Sequence, residues 1–329
     1  MRLFWYAGLL LASTGCGEEP DRVVLYTSVD ESFARQIVAE FTDRHAIRVD
    51  VLFDSEAGKT TGLVKRIRAE AGDPRADVFW SGELFNTIVL ARDGLLEPYD
   101  SPSAADIPRR YRDPSHRWTA IGLRARVLAF DPRRTPATEL PDRWEQLAEP
   151  RYASRLSIAN PLFGTTHGHV AAMFALWGEE RGRAFLKALH NGGARLAAGN
   201  GATVRDVLDG RADLAATDTD DVWVLQRQGA SLDQRPLDLG DGGTLLIPTS
   251  VGVVKGCRHP GPARKLVDFL LSAECERLLA GSDSRNVPVR ESLRAELKLE
   301  LPPETRLSFD AIADHLAPSA DAIREILIR

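Results

Sequence analysis

Basic excess, cysteine and long apolar runs are what this chain has least of, and each shortage closes a class of function. Lysine and arginine total 42 against 47 aspartate and glutamate, a net charge of −5 with both signs interspersed. That leaves no basic stripe to follow a nucleic acid backbone and no basic amphipathic helix for a membrane surface. Beyond the first dozen residues no apolar stretch approaches the roughly 20 residues that span a bilayer. Catalytic signatures are missing too: there is no Gly-x-Ser-x-Gly elbow, no Walker loop, no His-Glu-x-x-His and no Cys–His pair of fitting spacing. Asp218 to Asp221 hold adjacent acids on one turn, which rarely converge across a substrate as glycoside hydrolysis needs, so an enzyme reading finds no catalytic set.

What is present begins at the N-terminus. Met1-Arg2, the apolar stretch Leu3 to Ala12 and Ser13-Thr14-Gly15-Cys16 have the layout of a bacterial export signal, expected over residues 1–15. Gly15-Cys16 resembles the lipobox of bacterial lipoproteins, which implies cleavage before Cys16 and lipid attachment to it, with 16–21 as a solvated tether. Lipid on Cys16 is then the only membrane contact expected, and the location is periplasmic or at the cell surface. Cys257 and Cys275 remain; an exported compartment permits a disulfide between them, and two separate small apolar residues fit equally.

The roughly 310 residues that follow exceed the usual single-domain size. Val23 to Tyr26 is an apolar strand run, followed by Phe33, Ile37, Val38 and Phe41 on one helical face; strand runs at 47–53 and 76–80 alternate with helical periods at 63–67 and 84–91. This βαβαβα order implies a mainly parallel sheet covered by helices. After the irregular passage 98–114 and an extended segment 121–130 comes a second alternation: strands at 156–159 and 213–216, helices at 170–177, 184–190 and 222–228. Residues 245–255 are extended again, with helices at 263–271 and 274–280 behind them. The chain thus leaves a first lobe near 119–127 and returns near 245–254. The expected division is 22–120 with about 249–280 for lobe 1, 121–248 for lobe 2, and 281–329 as a helical segment packed on both. Strand-to-helix loops of the two lobes then face one cleft.

At this point the chain resembles a known family. Val24-Leu25-Tyr26-Thr27-Ser28, Ala76 to Trp80, Gly94-Leu-Leu-Glu-Pro98, Arg124-Ala-Arg-Val127, Trp144-Glu-Gln-Leu with Pro150-Arg-Tyr, Asn160 to Thr166 and Ala263 to Ser272 are similar, in order and spacing, to segments of the ferric-iron-binding branch of the extracellular solute-binding proteins. The resemblance implies a type II periplasmic binding fold: two α/β lobes on a two-strand hinge. It also implies closure on a small solute or metal, delivery to the permease and ATPase subunits of an ABC importer, no catalysis, no tightly required cofactor and a monomer. The implied ligand is Fe(III), alone or with a synergistic anion; the alternative is a small organic anion such as a phosphonate, sugar phosphate or carboxylate, with no metal.

Members of the iron-binding branch hold Fe(III) with two adjacent tyrosines, and here Asp220 and Asp221 stand at the matching positions. Carboxylates remain hard oxygen ligands but lack the phenolate bond to ferric iron. Asp218, Thr219 and Asp220 either cap the following helix or join the ligand site, or do both. Thr165 and Thr166, in the turn Gly164 to His169, and Asn200 are the implied anion contacts. Arg124 and Arg126 are taken to point apart from an extended segment, one clamping an oxyanion in the cleft and the other pairing at the surface. Ser28, Glu56, Ser81 and Glu83 end the first-lobe strands and are placed on the facing wall. His167 and His169 are read as hydrogen-bonded or solvated imidazoles rather than ligands.

Overall fold

The computed structural model describes residues 21–54, 58 and 60–328. The export signal, Cys16 and Glu56 lie outside them, and no helix among the described residues is long and apolar enough to cross a membrane.

The first half opens with β1 (Arg22–Thr27), α1 (Glu31–His45), β2 (Arg48–Phe53), α2 (Thr61–Ala69), β3 (Val78–Ser81), α3 (Phe85–Arg92) and β4 (Leu96–Glu97). β1 pairs in parallel with β2 on one side and β3 on the other. β3 is buried along its whole length, the pattern of a parallel strand covered on both faces. Helix α1 turns Phe33, Ala34, Ile37 and Phe41 onto the sheet at one-turn spacing.

The chain then crosses on β5 (Thr119–Phe130), a strand of 12 residues. The second half follows with α4 (Pro150–Ala153), β6 (Leu156–Ala159), α5 (Gly164–Trp177), α6 (Glu179–Asn191), β7 (Arg195–Ala197), α7 (Asn200–Leu208), β8 (Leu214–Asp218), α8 (Thr219–Arg227) and β9 (Asp233–Arg235). It returns on β10 (Leu246–Val254) and closes with α9 (Pro260–Leu270), α10 (Ala273–Gly281), α11 (Glu291–Leu297), α12 (Phe309–Asp314) and α13 (Leu316–Leu327).

One curled sheet carries both halves, in the order β2-β1-β3-β10-β5-β8-β6-β7. Thr119 to Ala125 of β5 run antiparallel to β10, which pairs with β3; Arg126 to Phe130 run antiparallel to β8, which pairs in parallel with β6. A register shift between Pro248 and Ser250 marks the crossing, where a proline cannot donate to the ladder. The C-terminal helices tie the halves from behind: Arg92 of α3 bonds Asp310 and Asp314, while His167 of α5 bonds the Leu316 carbonyl.

Among the boundaries that differ from the periodicity reading, two lie beside the cleft. Helix α5 starts at Gly164 rather than 170, because the helix is buried on nearly every side and shows no polar stripe by which to see it. Gly164 enters it at φ 56°, a left-handed conformation that glycine adopts freely. Strand β8 runs on to Asp218, since Thr217 and Asp218 are buried polar residues inside the ladder. Cys257 and Cys275 are free, so the disulfide left open by the sequence is not formed.

Candidate functional site

The carboxyl ends of β1, β3, β6 and β8 open on one cleft of about 560 Å³ between the halves. Ser28, Glu83, Arg124, Thr165, Thr166, Asn200, Asp218, Asp220 and Asp221 line it together. Ser81, Arg126 and Thr219 sit behind the lining: the Ser81 hydroxyl donates to the Glu83 carbonyl at 2.6 Å, and the Thr219 hydroxyl accepts from the Ala125 N–H at 3.3 Å.

On the first-half wall Ser28 and Glu83 are engaged in holding backbone. Ser28 Oγ accepts from the Gly82 N–H and from the Thr60 hydroxyl, each at 2.9 Å. The Glu83 carboxylate accepts from the Phe85 N–H at 2.7 Å and from the Asn86 amide at 2.9 Å, capping α3. Burial pushes its carboxyl up to about 7, against the pull of these donors and of Arg124.

The second-half wall is charged. Asp218 ends β8 opposite Arg126, its register partner on β5, and its Oδ1 accepts from Arg126 Nη1 at 2.8 Å. Asp218 Oδ2 accepts from the Thr165 hydroxyl at 2.6 Å and from the Asn200 amide at 2.9 Å, so one carboxylate organises both of the expected anion-binding turns. Asp220 Oδ2 takes Arg124 Nη1 at 2.9 Å. Asp221 Oδ2 accepts from the Thr217 hydroxyl at 2.9 Å, across the start of α8. One oxygen from each of Asp218, Asp220 and Asp221 lies within 4.8 Å of the others, a spacing at which they can share a cation.

The two arginines do not point apart. Residues two apart on a strand share a face, so Arg124 and Arg126 both turn to Asp218, with Arg124 Nε at 3.5 Å from it. Arg126 is wholly buried rather than at the surface. Arg124 reaches across the crossing: its Nη2 also donates to the Gly82 carbonyl on the opposite wall.

Buried polar atoms at this site are left without hydrogen-bond partners: Arg124 Nε, Arg126 Nε and Nη2, and Asp220 Oδ1. Asp220 is 4% exposed, and burial, with Asp218 and Asp30 nearby, raises its carboxyl above the usual range while Arg124 pulls it back. The histidines play no part in the cleft. His167 donates to the Leu316 carbonyl at 3.0 Å and is held neutral, its ring pushed down to about 4 by burial. His169 packs edge-on against Trp144, ring centres 4.3 Å apart.

Sequence reasoning passed over Asp30, Phe33, Thr60 and Arg205, which also line the cleft. Asp30 was readable, because it follows the end of β1 by three residues, where strand-to-helix loops face a cleft. Arg205 was not, because its place on the rim depends on how α7 packs.

Residues 73–311 match the family model for bacterial extracellular solute-binding proteins. The chain is 26% identical to "Iron uptake protein A1" of Synechocystis sp., over 95% of this chain and 92% of that protein. It is 25% identical to the "Major ferric iron-binding protein" of Neisseria meningitidis, over 96% and 92%. Among solved structures, the ferric binding protein of Campylobacter jejuni superposes with a TM-score of 0.83 at 20% identity, covering 93% of this chain and 99% of that one. That likeness shows the fold, the two-lobed type II periplasmic binding architecture.

Proposed function

This chain belongs to the bacterial extracellular solute-binding proteins, and from that premise we propose that it captures iron, as Fe(III) or as a ferric complex with an anion, for an ABC importer. The lobes in this reading are 22–120 with about 249–280, and 121–248, with 281–329 packed on both. Ligand bridges the two walls only when they close about β5 and β10, so its contacts stabilise closure and present a loaded clamshell to the permease and ATPase subunits. Lipid on Cys16 keeps the protein membrane-anchored, in the periplasm or at the cell surface. It performs no chemistry of its own.

The observation that carries the reading is the convergence of Asp218, Asp220 and Asp221 beside the Thr165–Thr166 and Asn200 turns. Three carboxylates supply hard oxygen donors for a trivalent ion, and the neighbouring hydroxyls and helix starts suit the anion that accompanies it. The names of the two relatives agree with iron as cargo.

Calorimetric titration of the purified protein with ferric citrate, ferrous iron, calcium, and a set of phosphonates and sugar phosphates, with metal analysis of the complex, tests it. Saturable binding of ferric citrate, lost in Asp220→Ala/Asp221→Ala, is the expected result. Indifference to iron with tight binding of an organic anion would transfer the site to the two arginines and leave the aspartates as their counter-charges and as helix caps.

A further inference from the structure

Among the described residues, Arg124 is the one whose guanidinium touches both walls of the cleft and the acidic cluster at once, with Gly82 on one side and Asp220 and Asp218 on the other. A cation that seats among Asp218, Asp220 and Asp221 has to take Asp220 Oδ2 from it. The remaining oxygen, Asp220 Oδ1, is buried, belongs to a cleft-lining side chain and has no partner, so the carboxylate is half-engaged by the arginine and half-open. Arg126 cannot play this part, being wholly buried behind the lining, whereas the Arg124 side chain keeps 12% of its surface exposed.

Arg124 also lines a small void on its other side. The void, of about 10 Å³, is lined as well by Trp80 and Asn286, and Asn286 Oδ1 has no partner there. That void is no larger than a water molecule and cannot take the guanidinium, so on leaving Asp220 Arg124 needs an acceptor that the ligand brings.

We propose that Arg124 is a tethered counter-cation that holds the Asp218–Asp220–Asp221 site against bare divalent ions. It yields to a ligand that brings both a highly charged metal centre and an anionic arm for the freed guanidinium. This rests on the reading of the cluster as the ligand site. A divalent ion alone adds two positive charges beside a guanidinium that stays tethered nearby, breaks Arg–carboxylate bonds and leaves that guanidinium unpaired, a poor exchange in a buried site. A ferric–carboxylate complex neutralises the cluster and pairs the arginine as well.

The test uses Mn2+ alone as probe, by calorimetry, on wild type, Arg124→Gln and Arg124→Lys. The expected result is that Arg124→Gln binds Mn2+ about tenfold or more tighter than wild type, because Asp220 is released from a charged hydrogen bond. Arg124→Lys, which keeps the tethered charge, is expected to stay at the wild-type level. No gain in Arg124→Gln, or an equal gain in Arg124→Lys, overturns the proposal. Should Arg124→Gln fail to fold by circular dichroism, arginine 15N NMR of wild type decides. The Arg124 Nε signal, identified by its loss in Arg124→Lys, shifts at saturation with gallium(III) citrate, and an unmoved signal contradicts the proposal. Absence of ferric citrate binding by wild type alongside a Mn2+ gain in Arg124→Gln would overturn iron as the cargo and uphold the tethered counter-cation.

Discussion

Among the described residues two arginines lie fully buried against acids, Arg290 before α11 and Arg126 at the lobe crossing, and their surroundings differ in completeness. Arg290 places Nε on Asp106 at 2.9 Å, Nη1 on Glu276 at 3.0 Å and Nη2 on the Leu271 carbonyl at 2.9 Å, while Glu276 takes the Val289 N–H at 2.9 Å. Arg126, equally buried, bonds Asp218 through Nη1 and leaves Nε and Nη2 without partners, and next to it Arg124 and Asp220 are also incompletely bonded. A finished network fixes a fold; an unfinished one in the same dielectric is held at a cost that a ligand can offset. In the proposed reading, the difference separates the charges that build this molecule from those that meet its cargo.

Breaking the finished network has the largest expected effect. Arg290→Met leaves Glu276 buried without its cation, and urea unfolding should lose about 3–5 kcal/mol of stability while affinity per folded molecule stays unchanged. Asp220→Asn strikes the unfinished one and should do the reverse. It removes one anionic oxygen donor from the proposed metal site, expected as a ~10- to 100-fold loss of ferric citrate affinity by calorimetry, about 1.4–2.8 kcal/mol, with a smaller change in stability.

Glu83 stands between the two, bonded by backbone and amide donors yet without a cation in direct contact. Its carboxyl in the folded chain is raised from 4.5 to about 7, so the folded state binds its proton more tightly than the unfolded chain does. The contribution of Glu83 is therefore most favourable below pH ~4.5 and falls as pH rises toward about 7. Unfolding measured across that interval should show a decline of about 1–3 kcal/mol from this group that Glu83→Gln abolishes. At the small end, Arg35→Ala removes an exposed one-turn ion pair with Glu31 and should change stability by less than about 0.5 kcal/mol.

The fold was legible because both halves alternate short apolar runs with helical periods, and because extended segments recur where the chain crosses and returns. The acids of the cleft were legible too, since Asp218, Asp220 and Asp221 follow an apolar strand run directly. Their partners were harder to see. The bond of Arg126 to Asp218 joins strands 92 residues apart in sequence, and only the antiparallel register of β5 on β8 brings the two together. The shared direction of Arg124 and Arg126 followed from their spacing alone and was misjudged. The early start of α5 was hidden for the opposite reason: a helix buried all round gives no periodic signal.

The central claim, that the cluster at the head of α8 receives the metal, is tested most directly by an anomalous difference map at the iron edge from crystals grown with ferric citrate. The account predicts one strong peak within bonding distance of Asp220 and Asp221, with Arg124 withdrawn from Asp220. A map with no peak there, or with iron bound elsewhere while Arg124 still holds Asp220, would contradict it.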